Sequence, residues 1–395
     1  MTLRDNDAQP DRLHSSQTQA MRFGPHQAPV DERDLRLDAC RGLALWFTFL
    51  DHIPDNPLSW ITLKYYGFSD ASEVFVFVSG FTCMVAYGGA LAKQGWPTII
   101  ARCVRRAMEI YAAFLLLLVV YFAAIWLVGG GTRYLDETNT GWFFREPGPT
   151  LLHALLLQYA AVNTDILPTF VFLHIAFPAL LWLMLCNANV ALALSIFLYV
   201  MVQFFDWNVA AWPSGGLYFN PLAWQLLFVF GAWYAYRGRG DLTALVHLRS
   251  ALIAALIYLG LSLFIALSWQ IKPLEAMVPA ALGNALYPID KSSLSPLRVL
   301  HFIAIAFVVA YFTTSTSPRR MNVFFLAVMR CGENALPIYC ASVLFAFAAS
   351  AFLSRLSDGV TAQVAVSLAG IGVIIALAAL LTWMNQHEGL SPKPF

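Results

Sequence analysis

The sequence alternates long apolar stretches with short polar ones, and the apolar stretches have the length of membrane spans. A helix needs roughly 20 apolar residues, within a range of about 17 to 25, to cross the hydrocarbon of a bilayer. Hydrophobic residues make up 59% of the 395 and charged residues 12%, about half the charged share of a soluble globular chain. The sequence therefore predicts an all-α polytopic integral membrane protein.

About ten stretches meet the length criterion, and the loops between them differ in charge. The predicted spans are residues 37–53, 71–92, 107–129, 168–186, 189–206, 221–237, 250–269, 297–316, 334–353 and 361–384. Basic residues gather after the second, sixth and eighth spans, at Lys93, Arg102, Arg105, Arg106, Arg237, Arg239, Arg249, Arg319, Arg320 and Arg330. The positive-inside rule assigns these loops to the cytoplasm, which also places both termini there. The loops predicted to face outward are 54–70, 130–167, 207–220 and 270–296.

The remaining segments complete the predicted domain organisation. Residues 1–33 are polar and are predicted to form a disordered cytoplasmic tail, residues 34–386 the transmembrane domain, and residues 387–395 a second cytoplasmic tail. Residues 151–161 are too short to cross, so we expect a half helix at the outer face. The six cysteines lie singly, without the spacing of a metal site, and the net charge of +1 gives no indication of a nucleic-acid partner.

The first predicted span carries ionisable residues at both of its ends. Asp51 and His52 follow the apolar run 43–50, and Arg36 and Arg41 precede or open it. Such residues are costly in a membrane, so a functional role is the default interpretation. A rise of about 1.5 Å per residue places His52 about 24 Å from Arg36, near the outer face. His52 is a candidate general base that deprotonates a hydroxyl, and the alternative is a histidine that caps a helix end.

Two carboxylates at the start of the second span are candidates to hold the imidazole of His52. Asp51 is less suited, because consecutive helical residues point about 100° apart. Asp70 and Glu73 are better placed, and we include them with His52 as catalytic candidates. Ser69 and Asp70 also form a helix-start signal, so capping is the alternative role.

Arginines on the cytoplasmic side could bind the phosphates of an acyl-CoA. Arg102, Arg105 and Arg106 precede the third span, and guanidinium groups bind phosphates in bidentate geometry. We add Arg36 and Arg41 to this predicted binding set. Topology signalling alone would explain the cluster, but Arg41 lies deeper, where an unpaired charge would cost a few kcal/mol.

Polar residues near the predicted outer face form a candidate substrate site. Its predicted members are Asp51, Ser69, Asp165, Trp224, Asp290, Lys291, Arg298 and His301. They could bind an acidic donor group or an acceptor hydroxyl, or serve only as caps, rim residues and an interfacial salt-bridged loop. The outer loops are also rich in aromatic residues, which suit a sugar-like acceptor or act as ordinary interfacial anchors.

Five segments of the chain resemble the OpgC-type glucan succinyltransferases, over residues 33 to 385. They read LRLDACRGLALWFTFLDHIPDN, FSDASEVFVFVSGF, TDILPTFVFL, NPLAWQLLFVFGAW and DKSSLSPLRVLHFIA. These enzymes belong to a superfamily of membrane acyltransferases whose first span carries an arginine followed eleven residues later by a histidine. Arg41 and His52 fit that spacing.

The resemblance implies a reaction and a location. It implies that an acyl group, succinyl in the named family, passes from cytoplasmic acyl-CoA to hydroxyls of osmoregulated periplasmic glucans. His52 would be the catalytic residue, acyl-CoA a co-substrate rather than a permanently bound cofactor, and the bacterial inner membrane the location. The residues themselves do not distinguish succinyl from acetyl, although Lys291 and Arg298 would suit a second carboxylate.

Two other classes of protein are compatible with the same composition. A polytopic transporter or flippase for a glycan or acyl precursor would also need many spans, but it commonly shows repeated halves and interrupted helices. A structural membrane subunit of a glucan-synthesis complex would use its ionisable residues only at interfaces. The gathering of charge at the two faces favours the enzyme over the transporter.

Overall fold

The computed structural model describes residues 35–128, 132–238, 248–313, 322–356 and 359–387. The predicted tail 1–33 and residues 388–395 of the second tail lie outside this part of the chain. The predicted cytoplasmic residues Arg239, Arg319 and Arg320 also lie outside it.

The described residues form α-helices joined by loops. The helices are α1 Leu35–Asp51, α2 Ala71–Cys83, α3 Gly89–Val128, α4 Thr132–Glu137, α5 Gly141–Arg145, α6 Pro147–Leu155, α7 Ile166–Phe205, α8 Pro221–Trp233, α9 Arg249–Ser268, α10 Lys272–Glu275, α11 Ala280–Leu286, α12 Pro296–Thr313, α13 Val323–Glu333, α14 Ala335–Leu356 and α15 Val360–His387. Tight turns at Pro57–Ile61 and Leu63–Tyr65 follow α1, and wider helical turns at Met84–Gly88 and Tyr234–Gly238 extend α2 and α8. The short α6 lies within the segment predicted as a half helix.

Five helical stretches are long and apolar enough to cross a membrane. They are Ala71–Val128, Ile166–Phe205, Arg249–Ser268, Ala335–Arg355 and Val360–His387. The first two each contain one non-helical residue, Gly95 (φ 75°, ψ 166°) and Asn187 (φ −160°, ψ 104°). Each break falls between two predicted spans. The all-helical membrane class is confirmed, and the count of ten spans and the cytoplasmic termini stay predictions.

Helix α1 ends at Asp51, two residues before the predicted end of the first span. Pro54 cannot donate a backbone hydrogen bond to Leu50, and the Asn56 side-chain amide donates to the Leu50 carbonyl instead, at 3.1 Å. His52 therefore lies in the loop that follows the helix. This early end decides where the imidazole can point.

Glycine contacts bring α1, α2 and α8 into the centre of the protein. A Cβ on Gly42 would overlap the Val328 carbonyl of α13, and a Cβ on Gly80 would overlap the Phe228 carbonyl of α8. Such contacts allow close backbone approach between helices. Gly80 thus allows α2 and α8 to pack closely together. Asp38 and Arg41 of α1 are both buried.

Candidate active site

A cavity of about 940 Å³ lies where the end of α1 meets the starts of α2 and α7. All four loops predicted to face outward contribute to its wall. The lining residues include Thr48, Asp51, His52, Lys64, Gly67, Phe68, Ser69, Asp70, Ser72, Asn139, Gln158, Asn163, Asp165, Trp212, Tyr218, Phe219, Trp269, Tyr287, Lys291, Arg298 and Tyr339. Loops from distant parts of the sequence thus enclose one polar and aromatic chamber.

His52 is part of this wall, immediately beyond the end of α1. Its Nδ1 atom is buried and has no hydrogen-bond partner among the described residues. In the loop after α1, burial and the positive charge of Lys291 together lower the pKa of His52 to about 3. The imidazole is neutral near pH 7, the protonation state that a general base requires.

Asp51 also lines the cavity, and its carboxylate is held by the neighbouring turn. The Thr62 hydroxyl lies 2.8 Å from Asp51 Oδ1. This hydroxyl also caps the following turn, with the Lys64 backbone N at 3.4 Å. The wall beside His52 is therefore built by the segment 57–66 folding back on the end of α1.

Asp70 and Glu73 cap the start of α2, as the helix-start signal predicted. The Ser72 backbone N donates to Asp70 Oδ1 at 2.8 Å, and the Asp70 backbone N donates to Glu73 Oε2 at 2.9 Å. The two side chains form a reciprocal capping box. This geometry fixes both carboxylates at the edge of the cavity.

The same carboxylates bind two cations from the loop before α12 and its first turns. Lys291 Nζ lies 2.7 Å from Asp70 Oδ2, and Arg298 contacts Asp70 Oδ2 at 3.1 Å and Glu73 Oε1 at 2.6 Å. Burial alone would raise the pKa of Asp70, but the charges of Lys291 and Arg298 outweigh it and hold that pKa well below its usual range. The four charges sum to zero.

This network bears on two predictions about the site. Asp70 and Glu73 both accept hydrogen bonds from Arg298, and among the described residues neither forms one with His52, so their role in holding the imidazole stays a prediction. Lys291 and Arg298 are already ion-paired with these carboxylates, and their contact with a second carboxylate of an acyl group also stays a prediction. The ion pairs of this network connect the start of α2 to α12 without a net charge.

Ser69 and His301 form a second contact between the same two elements. Ser69 Oγ lies 2.7 Å from His301 Nδ1, and a Cβ on Gly67 would overlap the His301 ring. Ser69 lines the cavity, whereas His301 lies behind it. These contacts position the segment 67–69, and the predicted binding of substrate by His301 stays a prediction.

Two further predicted substrate residues support the loop that carries Lys291. Trp224 is fully buried, and its Nε1 donates to the carbonyls of Lys291 and Ser292 at 3.2 and 3.0 Å. Asp290 accepts hydrogen bonds from the backbone N of Ser292 at 2.9 Å and of Ser293 at 2.6 Å. Neither is among the residues that line the cavity, and their direct contact with substrate stays a prediction.

Asp165 lines the cavity as predicted. It precedes α7 and lies beside Asn163, whose carbonyl accepts a hydrogen bond from the Tyr339 hydroxyl at 2.6 Å. Burial raises the pKa of Asp165 to about 6. A carboxyl of this kind can exchange a proton near neutral pH.

The five arginines predicted to bind acyl-CoA lie apart from the described lining residues of this cavity. Arg41 is buried and donates to Thr82 Oγ1 at 3.0 Å and to the Gly332 carbonyl at 3.4 Å. Arg106 pairs with Glu109 at 2.8 Å, and Arg102 donates to Gln94 at 3.1 Å. Arg36 and Arg105 are exposed. The buried charge of Arg41 therefore joins α1 to α2 and α13.

The sequence analysis did not single out Lys64 or several aromatic residues of the wall. Lys64 is the only basic residue in loop 54–70. The positive-inside rule depletes lysine from outer loops, so this lysine carried a signal. Trp269 and Tyr287 pack edge to face at 4.3 Å near the rim. The predicted aromatic enrichment of the outer loops thus becomes part of one cavity.

The comparisons with known proteins give one match. The family described as OpgC protein matches residues 33–386, nearly the whole chain. Searches of curated proteins and of solved structures give no match.

Proposed function

Because the chain belongs to the OpgC family, we propose that it transfers an acyl group, specifically succinyl, from cytoplasmic acyl-CoA to hydroxyls of periplasmic glucans. Family membership indicates a glucan-modifying acyltransferase. The observation that carries the finer proposal is the position of His52, with a neutral imidazole in the wall of a large polar and aromatic cavity. In this proposal the enzyme resides in the bacterial inner membrane, with the cavity open to the periplasm.

The chemistry requires one base and balanced proton movement. His52 takes the proton of the acceptor hydroxyl as its oxygen attacks the thioester carbonyl carbon. A carbon–oxygen bond forms, the carbon–sulfur bond breaks, and the departing thiolate takes the proton from the imidazolium. A positioned base of this kind contributes about 10²- to 10⁴-fold to the rate.

The aromatic rim supports a glucan acceptor. The C–H groups of a pyranose stack on aromatic faces, and its hydroxyls need hydrogen-bond partners. Trp269, Tyr287 and Tyr218 supply rings, and Asn139 and Gln158 supply amides in the same cavity. These side chains come from three different loops and from the end of α9. A flexible oligosaccharide is a ligand that such a dispersed surface can hold.

The donor is proposed to enter from the opposite end of the protein. Its phosphates would bind the predicted arginine set, of which Arg105 is exposed and Arg102 half-buried. The pantetheine arm, a flexible chain, would carry the thioester toward His52. This route is part of the proposal and rests on the family and on the charges at the two ends.

Replacing His52 by glutamine tests the proposal directly. The variant keeps a polar side chain of similar size but cannot accept a proton at neutral pH, so glucan acylation should fall at least 100-fold. Each succinyl group adds one negative charge, so anion-exchange chromatography of periplasmic glucans measures the loss. His387→Gln, at the exposed end of α15, is the matched control. Undiminished acylation with His52→Gln would reject the assignment of His52.

A further inference from the structure

Three cations of the described part of the chain line the cavity, and Lys64 is the one that forms no ion pair there, although its charge also acts on the Asp51 carboxylate. Lys291 and Arg298 are ion-paired with Asp70 and Glu73. Lys64 forms no ion pair among the described residues, and its Nζ lies over the ring of Tyr65, 5.6 Å from the centroid. Of these three cations, Lys64 is therefore the one whose positive charge is not already held in an ion pair, whereas Lys291 and Arg298 belong to the four-charge network.

The backbone of Lys64 is held next to the proposed base. The fully buried Thr62 hydroxyl touches Asp51 Oδ1 at 2.8 Å and caps the Lys64 backbone N at 3.4 Å. Asp51 directly precedes His52. Lys64 thus lies in a turn that Thr62 connects to the end of α1. Its side chain lines the same cavity as His52.

The charge of Lys64 also reaches the imidazole. Besides burial and Lys291, the positive charge of Lys64 contributes to lowering the pKa of His52. An electrostatic effect of this kind requires proximity, because Coulomb energy falls with distance and is weakened by solvent. This agrees with the placement of both side chains in one wall.

We propose that Lys64 binds the terminal carboxylate of a dicarboxylic acyl group and thereby selects a succinyl over an acetyl donor. The inference rests on the proposed acyltransfer at His52. Two methylene groups separate the carboxylate of a succinyl thioester from its reacting carbonyl. Lys64 lies on the turn that Thr62 ties to Asp51, the residue before His52, and its flexible side chain can follow a carboxylate held in the same cavity.

Binding at the alternative cations would be unfavourable. A dicarboxylic group at Lys291 and Arg298 would place three anions against two cations in a buried network, where like charges repel strongly. Lys64 is exposed to the cavity solvent. Its ammonium group is solvated, so it can bind a carboxylate at a low desolvation cost. Because salt screens solvent-exposed charges, the contact between Lys64 and the carboxylate should weaken as the salt concentration rises.

A comparison of three donors on the purified full-length protein in lipid nanodiscs tests this inference. The donors are succinyl-CoA, its terminal methyl ester and acetyl-CoA, with a β-glucan oligosaccharide as acceptor. Wild-type protein should use succinyl-CoA with kcat/KM roughly ten- to a hundredfold above the methyl ester, the range for a hydrogen bond to a charged group. In Lys64→Gln the kcat/KM for succinyl-CoA should be no more than about threefold above that for the methyl ester. The kcat/KM for acetyl-CoA should differ from the wild-type value by less than about threefold.

Control variants separate this result from other causes. Lys64→Arg should restore discrimination in part, because it keeps the charge. Lys272→Gln, an exposed outer-loop lysine outside the cavity lining, should leave the ratio unchanged. Equal loss of all donors in Lys64→Gln, or retained discrimination, would overturn the role of Lys64. Absence of transfer from every donor by the wild-type protein would instead reject the proposed function itself.

Discussion

Replacing Arg298 by methionine should destabilise the protein strongly, because the guanidinium balances two buried carboxylates. The Arg298 side chain is 9% exposed and the Glu73 side chain 0%, with 2.6 Å between the paired atoms. Methionine keeps much of the apolar stem but leaves Asp70 and Glu73 with only Lys291 as a counter-charge. Breaking a buried pair in this way costs about 3–5 kcal/mol.

That cost should be visible in thermal unfolding of the detergent-solubilised protein. At about 2–4 °C per kcal/mol, the melting temperature of Arg298→Met should fall by roughly 10 °C. The 12 tryptophans provide an intrinsic fluorescence signal. Arg249→Met is the matched control, because Arg249 is exposed at the start of α9, and it should shift the melting temperature by less than about 2 °C.

A double substitution shows whether the loss comes from uncompensated charge. Glu73→Gln added to Arg298→Met leaves one cation and one anion, Lys291 and Asp70, and Gln can still accept a hydrogen bond from the cap. The double variant should therefore recover at least half of the lost melting temperature. If its loss equals the sum of the two single losses, Arg298 and Glu73 are not coupled and the network described above does not hold the fold.

Two more variants test the remaining charges. Arg105→Ala should weaken coenzyme A binding roughly tenfold by titration calorimetry, because it removes a phosphate partner, whereas Arg249→Ala should not; unchanged affinity would count against the arginine site. Burial raises the pKa of Asp165 from 3.8 to about 6 in the folded protein. Ionised Asp165 therefore destabilises the folded state, and this loss of stability grows as the pH rises from about 4 to 6 and stays constant above pH 6. Solvent in the cavity reduces this energy, so Asp165→Asn should melt roughly 2 °C above wild type at pH 8 and at the same temperature as wild type at pH 4. A difference in melting temperature that stays constant between pH 4 and pH 8 would refute the burial argument.

The sequence predicted the class of fold because the bilayer allows few solutions. Apolar length and low charge indicated a helical membrane protein, and the placement of basic loops grouped four loops on one side. Those four loops, 54–70, 130–167, 207–220 and 270–296, all line the same cavity. His52 was singled out because an imidazole at the end of a span is expensive without a function.

The sequence could not predict which charged residues pair across the fold. Asp70 and Lys291 are 221 positions apart, and the pairing that neutralises both depends on α2 and α12 lying side by side. Local patterns detected the capping role of Asp70 but could not show that its second oxygen is occupied by Lys291 and Arg298. The same limit concealed the role of Trp224, which supports the Lys291 loop from the core.

The amino-acid sequence by itself determined that the chain forms apolar helices with a costly histidine at the end of one of them. Helical period and hydropathy are properties of short stretches of sequence, and an apolar stretch of sufficient length forms a membrane span whatever the rest of the chain does. Only the tertiary structure decided which cations remain unpaired, because that depends on distances between residues far apart in the chain. It bound Lys291 and Arg298 to carboxylates and left Lys64 as the cation beside His52 without an ion pair among the described residues.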